Sequence, residues 1–449
     1  MNEEAITERS NEKSCEGYKE VQLGPKTLTI PEEWDFLYFN EAIERNPRYD
    51  KPNRETFDFV PMDAVNEEQR AIEYWTEREK DDCTTTWFKN GDTIYGKITP
   101  CAENGKIAFV KDVDTEVASG STEFLVFHPK EDVTDPMFAF YLTNMPQFRS
   151  VTISLMEGST GRQRIPNDIF ENNIRVPIPS ISEQYRIADL LSTVDEEIKQ
   201  TDDIINKVKE LKQGLMQDVL IHGISHDEYQ ARFLGPRKLD IPASWKKARL
   251  EDVTEIITRG KQPTYVEEGG VPVLNQSCIY WDGFHPEELK RLDAEVAGNW
   301  KDKYFVKEGD VLVNSTGKGT LGRALEWSRE SGNYALDSHI TRVHPDESVL
   351  DPTYFRFYLE SNHGQKMLYA FCVAGSTGQI ELSKTDLQTM PILVPPIEEQ
   401  REISEAFHRT NRKLQREQDK KEILKELKQG LMQDLLTGKV RVDPEKANT

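Results

Sequence analysis

LKQGLMQD stands at residues 211–218 and again at 427–434, a spacing of 216. Eight identical residues so far apart mark an internal duplication, which fixes the unit that every other feature must fit. Working outward, GSTG at 158–161 answers GSTG at 375–378. DPMFAFYL at 135–142 answers DPTYFRFYL at 351–359 with one residue inserted. NGDTIYGKI (90–98) pairs with EGDVLVNST (308–316), and IPEEW (30–34) with IPASW (241–245). A period above 200 residues excludes a solenoid of short repeats. The chain is one two-part module, copied once.

The two parts have different textures. A first segment of about 150 residues is rich in short Val, Ile, Thr and aromatic runs broken by Gly, Pro and Asn, such as VPVLNQ (271–276) and EFLVFHP (123–129). That pattern predicts irregular strands and loops, with helices around 136–148 and 352–369. A Pro-containing hinge follows, VPIPSISEQ at 176–184 and VPPIEEQ at 394–400. Then come helices without Pro, expected from about 182 to 222 and from about 398 to 436, each reaching roughly 60 Å. Apolar residues recur at steps of three and four: Ile187, Leu191, Val194, Ile198, Ile205, Val208, Leu211 and Leu215, then Ile403, Phe407, Leu414, Leu424, Leu427, Leu431 and Leu435. Such stripes predict a coiled-coil seam. Two helices of similar length in one chain predict antiparallel pairing with each other.

Composition narrows the class. The 449 residues leave room for about three domains, and no apolar run reaches the roughly 18 residues of a membrane span. The opening MNEEAITERSNEK is acidic and polar, unlike a signal or transit peptide, so a cytoplasmic protein is expected. Five scattered cysteines without a C-x-x-C pair predict free thiols rather than disulfides or zinc. The net charge of −22 stands against a phosphate-neutralising surface, which usually carries a basic excess. Local clusters offset it: Arg162 with Arg164, Arg259 with Lys261, Lys301 with Lys303 and Lys307, and Lys318 with Arg323. A salt-rich cytoplasm and partner subunits that supply positive surface are both open as explanations.

Catalytic motifs do not fit. STGKGT (315–320) lacks the Gly five residues before its Gly-Lys and the Ser or Thr after it, as a phosphate loop requires. No N/D-P-P-F/Y loop is present, and Pro345-Asp346 is followed by no D/E-x-K before residue 385. Neither a cofactor nor a catalytic centre is expected.

The order GST-G, P-I-P or P-P, E-Q, then a long helix ending in LKQGLMQDLLTG resembles the specificity subunit of type I restriction-modification systems. Glu183-Gln184, Glu399-Gln400 and Leu435-Leu436-Thr437-Gly438 carry the likeness, with RGKQPT (259–264), GGVPVL (269–274) and GDVLVNSTGKGTLGR (309–323) in the second copy. The first copy departs more, since CAENGKIAFV (101–110) matches its counterpart loosely. The resemblance implies α/β (α+β) recognition domains in tandem duplication, joined and spaced by two long helices forming an antiparallel coiled coil. It divides the chain into a tail (1–29), recognition domains at 30–180 and 242–396, helical spacers at 181–224 and 397–437, a linker (225–241) and a second tail (438–449). It further implies a non-catalytic reader of a split target in double-stranded DNA. Its expected partners are two N6-adenine methyltransferase subunits and ATP-dependent restriction subunits, with no membrane. Half-sites about one helical turn apart demand two readers on a stiff spacer, as the duplication supplies.

Loop-borne Arg, Lys, Asn, Gln and Thr match the donors and acceptors of base edges. The candidates are Lys97, Thr160, Arg162, Gln163 and Arg164 in the first copy. In the second they are Arg259, Lys261, Gln262, Asn314, Lys318, Thr377 and Gln379. The GSTG glycines are expected to shape a turn rather than to touch DNA. The rival expectation is a coiled-coil scaffold with two protein-binding domains, for which the acidity would be natural.

Overall fold

The computed structural model describes residues 17–159, 161–235, 237–328, 334–375 and 380–443. The chain divides into two compact units, Met1–Thr201 with Lys420–Thr449, and Asp202–Asp419.

In the first unit a hairpin of β1 (Tyr18–Leu23) and β2 (Lys26–Pro31) leads to β3 (Asp35–Tyr38) and β4 (Ile43–Arg45). After these come β5 (Thr56–Val60), β6 (Thr76–Glu79), β7 (Thr86–Phe88), β8 (Thr93–Gly96), β9 (Ile107–Phe109), β10 (Ala118–Gly120) and β11 (Phe124–Pro129). One antiparallel sheet has the order β9-β8-β11-β4, and a second has the order β6-β5-β10-β7 with β5 and β10 parallel. Two short helices, α1 (Pro136–Asn144) and α2 (Pro146–Ser154), pack on the first sheet. The strand β12 (Arg175–Ile178) returns to pair with β3.

Strands β8 and β11 are buried on both faces, and their alternation distributes side chains to two cores. Tyr95, Leu125 and Phe127 join the helix-side core, while Ile94, Phe124 and Val126 join the core on the other face. The unit is therefore layered, helices on sheet on sheet. Asp135 fixes the start of α1, its side chain accepting from the Phe138 amide with Pro at the first turn.

The second unit repeats this plan. Its hairpin is β13 (Tyr229–Leu234) and β14 (Arg237–Pro242), followed by β15 (Lys246–Arg249) and β16 (Thr254–Arg259). Then come β17 (Tyr265–Val266), β18 (Val271–Leu274), β19 (Lys290–Leu292), β20 (Val311–Asn314), β21 (Ala324–Glu326), β22 (Ala335–Leu336) and β23 (Ile340–Pro345). The sheet β21-β20-β23-β16 reproduces β9-β8-β11-β4, and the second sheet, β17-β19-β18-β22, again holds one parallel pair. Val311 and Val313 face one core and Leu312 the other, as in β8. The long helix α3 (Ile181–His222) precedes this unit's hairpin. After the sheets come α4 (Pro352–Glu360), α5 (Asn362–Phe371), β24 (Val373–Ala374), β25 (Glu381–Leu382), β26 (Pro391–Val394) and the long α6 (Ile397–Leu435). Among the described residues no helix is long and apolar enough to cross a membrane.

The two long helices pack together. In the first unit Asp195 of α3 meets Lys428 of α6 at 2.5 Å and Glu197 meets Lys420 at 3.3 Å, so one helix ascends as the other descends. Each helix also closes a core. Ile187, Leu191, Met432 and Leu435 seal the first unit, and Met216, Leu220, Ile403 and Phe407 seal the second. The expected seam misplaces Leu211 and Leu427, which are 56% and 48% exposed. The buried stripe runs through Thr201, Ile205 and Val208 to Met216 and Leu220, and the stem of Lys212 fills the position that Leu211 was expected to hold. Steps of four outnumber steps of three there, so the stripe drifts off a strict heptad.

Glu183-Gln184 and Glu399-Gln400 sit where each domain hands over to its helix, and both pairs make the same bonds. Gln184 Oε1 accepts from the Asp135 amide, while its Nε2 donates to the Val133 and Pro179 carbonyls. Trp34, from IPEEW, donates to Glu183 at 3.1 Å, and Trp245, from IPASW, donates to Glu399 at 2.9 Å. The carboxylates are completed differently: Arg441 clamps Glu183 through two nitrogens, at 2.7 and 2.9 Å, and His226 stands 2.6 Å from Glu399.

Candidate nucleic-acid interface

In the first unit the candidate surface forms where β8 ends. Half-buried Lys97 is held by its backbone, its amide donating to Glu123 O and its carbonyl accepting from Ile165 N, both at 2.9 Å. The Gln163 carbonyl accepts from Thr99 N, which fastens the loop to the same strand end. Arg164 forms a two-pronged pair with Glu123, Nε to Oε2 at 3.0 Å and Nη2 to Oε1 at 2.8 Å. This fork lowers the Glu123 pKa below the ordinary carboxylate value. Burial lowers that of Lys97, against the pull of Glu123. Exposed Arg162 closes the turn through its amide to Ser159 O, and makes no ion pair among the described residues. Gly158 has φ +127°, and a Cβ there would lie 2.8 Å from the Arg162 carbonyl, so the turn needs glycine. Gly375 has φ +120° at the matching place.

The second unit builds the corresponding corner from other partners. Arg259, at the end of β16, donates from Nε to Ser338 O at 2.5 Å and pairs with Glu381. Burial lowers its pKa, while Asp337 raises it. Ser338 Oγ also reaches exposed Gln262 at 2.9 Å, which brings Arg259 and Gln262 to one point. The Lys261 ammonium lies 5.2 Å from the Trp300 ring centroid. Lys318 is exposed on a separate loop between Gly317 and Gly319, whose φ angles are +97° and +86°.

Asn314 differs from the expectation of a loop residue facing solvent. It is fully buried at the last position of β20 and directs Nδ2 to the Gln276 and Ile279 carbonyls. Buried there, this amide supports the loop of Gln276 and Ile279 from beneath. Thr160, Thr377 and Gln379 lie outside the described residues.

One correspondence crosses the repeat. Arg164 bridges to Ile98 and Glu381 to Thr316 through the backbone, each just beyond the matching strand. These equivalent positions carry opposite charges, and each is tied to an opposite charge, Glu123 in one copy and Arg259 in the other. The frame is common and the electrostatics are inverted. The sequence sets Gln379-Ile380-Glu381-Leu382 against Arg162-Gln163-Arg164-Ile165, but it does not mark Glu123, Ser338 or Asp337, because their roles come from partners dozens of residues away. Among the described residues no group of three His, Cys, Asp or Glu side chains could hold a metal ion.

Two copies of one layered module, each with arginine and glutamine side chains at the same corner of a common frame, define a duplicated two-domain protein. Residues 39–210 and 242–426 match the family model described as type I restriction modification DNA specificity domain, and the chain belongs to that family. It is 30% identical over 174 residues to the EcoAI specificity subunit of Escherichia coli, an overlap of 37% of this chain and 29% of that one. Similarity to the putative MjaX specificity subunit of Methanocaldococcus jannaschii is 22% over 440 residues, covering 95% of this chain and 97% of the other. A chain solved in work on complex assembly and conformational transition of the type I R-M system shares the fold. There the TM-score is 0.56 at 19% identity, covering 92% of this chain and 99% of that chain.

Proposed function

We propose that the chain reads a bipartite target in double-stranded DNA and directs N6-adenine methylation and restriction carried out by partner subunits. It performs no chemistry itself. The recognition domains are assigned to 30–180 and 242–396, and the spacers that set the distance between half-sites to 181–224 and 397–437. Two methyltransferase subunits and ATP-dependent restriction subunits complete the enzyme, in the cytoplasm. The observation that carries this reading is the charge inversion between Arg164 and Glu381 on an otherwise repeated frame. A duplicated scaffold with divergent loop chemistry suits two different half-sites, whereas a scaffold protein with two copies of one partner has no use for it. The acidic partners also bear on the net charge of −22, since two candidate cations, Arg164 and Arg259, are neutralised within the chain.

The test is a domain exchange in the complex with the methyltransferase. Replacing 242–396 by the equivalent segment of a relative should change one half-site, mapped by sequencing methylated sites, and leave the other intact. Change in both halves, or no sequence preference in the parent complex, would overturn the reading.

A further inference from the structure

Away from the base-reading loops in sequence, the second unit has a pocket of about 430 Å³ between β14 and α5. Arg237, His363, Lys366, Met367, Tyr369 and Ala370 line it, and no acidic side chain does. Among the described residues neither Arg237 nor Lys366 makes an ion pair, in a chain with 79 acidic residues. His363 is 6% exposed, and its Nε2 is buried without a hydrogen-bond partner. Buried polar atoms are nearly always paired, and this one lies beside two cations that have no ion pair among the described residues.

We propose that this pocket binds a phosphoryl group, held by Arg237 and Lys366 and bonded from beneath by His363 Nε2. A guanidinium fork matches phosphate oxygens, and the lysine adds a compact point charge. The titratable groups facing the imidazole are Arg237 from β14, Lys366 and Tyr369 from its own helix, and Tyr358 from α4, whose ring centroid is 5.7 Å away. Burial and the two cations push the His363 pKa down to about 4, which keeps the ring neutral near pH 7. A bound phosphate dianion reverses the local field and favours imidazolium, which then donates to it.

The first unit gives a contrast. Lys26 opens β2 as Arg237 opens β14, and Gln147 stands second in α2 as His363 stands second in α5. Gln147 Oε1 is likewise buried without a partner, but the other lysine there, Lys439, is paired with Asp434 at 3.1 Å. A glutamine cannot gain charge, so the proton-linked site belongs to the second unit.

The phosphoryl group could belong to a DNA backbone or to a free phosphate, and two arms separate the sources. In the first, the full chain carrying labelled histidine is titrated with inorganic phosphate in chloride buffer. The His363 signal, assigned by His363→Gln, should shift saturably and its pKa should rise by at least one unit. Arg237→Gln with Lys366→Gln, both exposed positions, should weaken this response at least tenfold without changing the melting curve. In the second arm a duplex replaces phosphate. If the backbone is the source, duplex reproduces the shift, and the double variant loses about one from the slope of log affinity against log salt per phosphate released. If free phosphate is the source, the slope stays the same. A His363 signal that responds to neither probe, or that still responds in the double variant, overturns the proposal. The phosphate arm stands whether or not the chain reads DNA.

Discussion

Gln400 Oε1 accepts a hydrogen bond from the backbone amide of Asp351 at 2.8 Å, and Nε2 of the same side chain donates to the Val349 and Pro395 carbonyls at 2.8 Å each. Asp351 in turn caps α4 through the Tyr354 amide and accepts from Ser404 at 2.9 Å. One fully buried amide thus fastens the start of the long helix to the start of a core helix, and Gln184 does the same for Asp135.

Gln400→Leu should therefore destabilise the second unit by about 2–4 kcal/mol, because one amide and two carbonyls lose their partner around a fully buried side chain. Gln400→Glu should be no better, since a carboxylate cannot donate to the two carbonyls. Urea unfolding of the full chain measures both. A Leu variant within about 0.5 kcal/mol of the parent would show that water replaces the clasp.

A second pair tests how charge is buried. Arg342 Nε lies 2.6 Å from Asp310 Oδ2 with both side chains fully buried, and His344 Nδ1 lies 2.9 Å from the other oxygen. In the first unit Asp92 keeps the matching histidine, His128, at 2.7 Å, but Val126 stands where Arg342 does and Tyr49 donates to the carboxylate instead. Asp310→Ala should cost about 3–5 kcal/mol by stranding a buried guanidinium. Arg342→Val, the arrangement of the first unit, should cost clearly less. Equal losses from the two variants would mean that the arginine, not the stranded charge, carries the stability.

His363 makes stability depend on pH. Its folded pKa of about 4 lies below the ordinary value of 6.5, so the unfolded chain binds more protons between the two. The stabilising contribution is complete above about pH 6.5 and is lost as pH falls toward 4, on the order of 3 kcal/mol in all. His363→Gln should flatten that part of the stability profile in phosphate-free buffer. An unchanged slope between pH 6.5 and 4 would show that the ring titrates normally.

Much of this architecture was legible because the chain states it twice. LKQGLMQD and the Glu-Gln pairs fall at matching places in the two long helices, and 3.6-residue periodicity marks those helices. Three features were hidden for separate physical reasons. Asn314 lies in a run that reads as a loop, yet the run ends a strand covered on both faces. Leu211 follows the heptad on paper, but the real stripe passes through Lys212. Arg259 reads as a free cation, and only the fold brings Ser338 and Glu381 to it.

The same distinction between free and tied cations predicts which arginine reads a base. Arg162 and Arg164 sit two residues apart, and from sequence they are equal candidates. In the structure Arg164 already spends two nitrogens on Glu123, while Arg162 is exposed with no ion pair among the described residues. A free guanidinium can take O6 and N7 of guanine together, worth roughly 1–3 kcal/mol of discrimination. Arg162→Ala should therefore relax one position of one half-site, read by selection from a randomised target library in the methyltransferase complex. Arg164→Ala should instead loosen the loop, lowering affinity for all sequences alike, and Glu123→Gln should mimic it. The salt dependence separates a third outcome: if Arg162 touches only phosphate, its loss weakens binding evenly and makes the slope shallower by about one. Relaxed preference from Arg164→Ala and none from Arg162→Ala would reverse the assignment, making the forked pair with Glu123 one that opens when DNA binds.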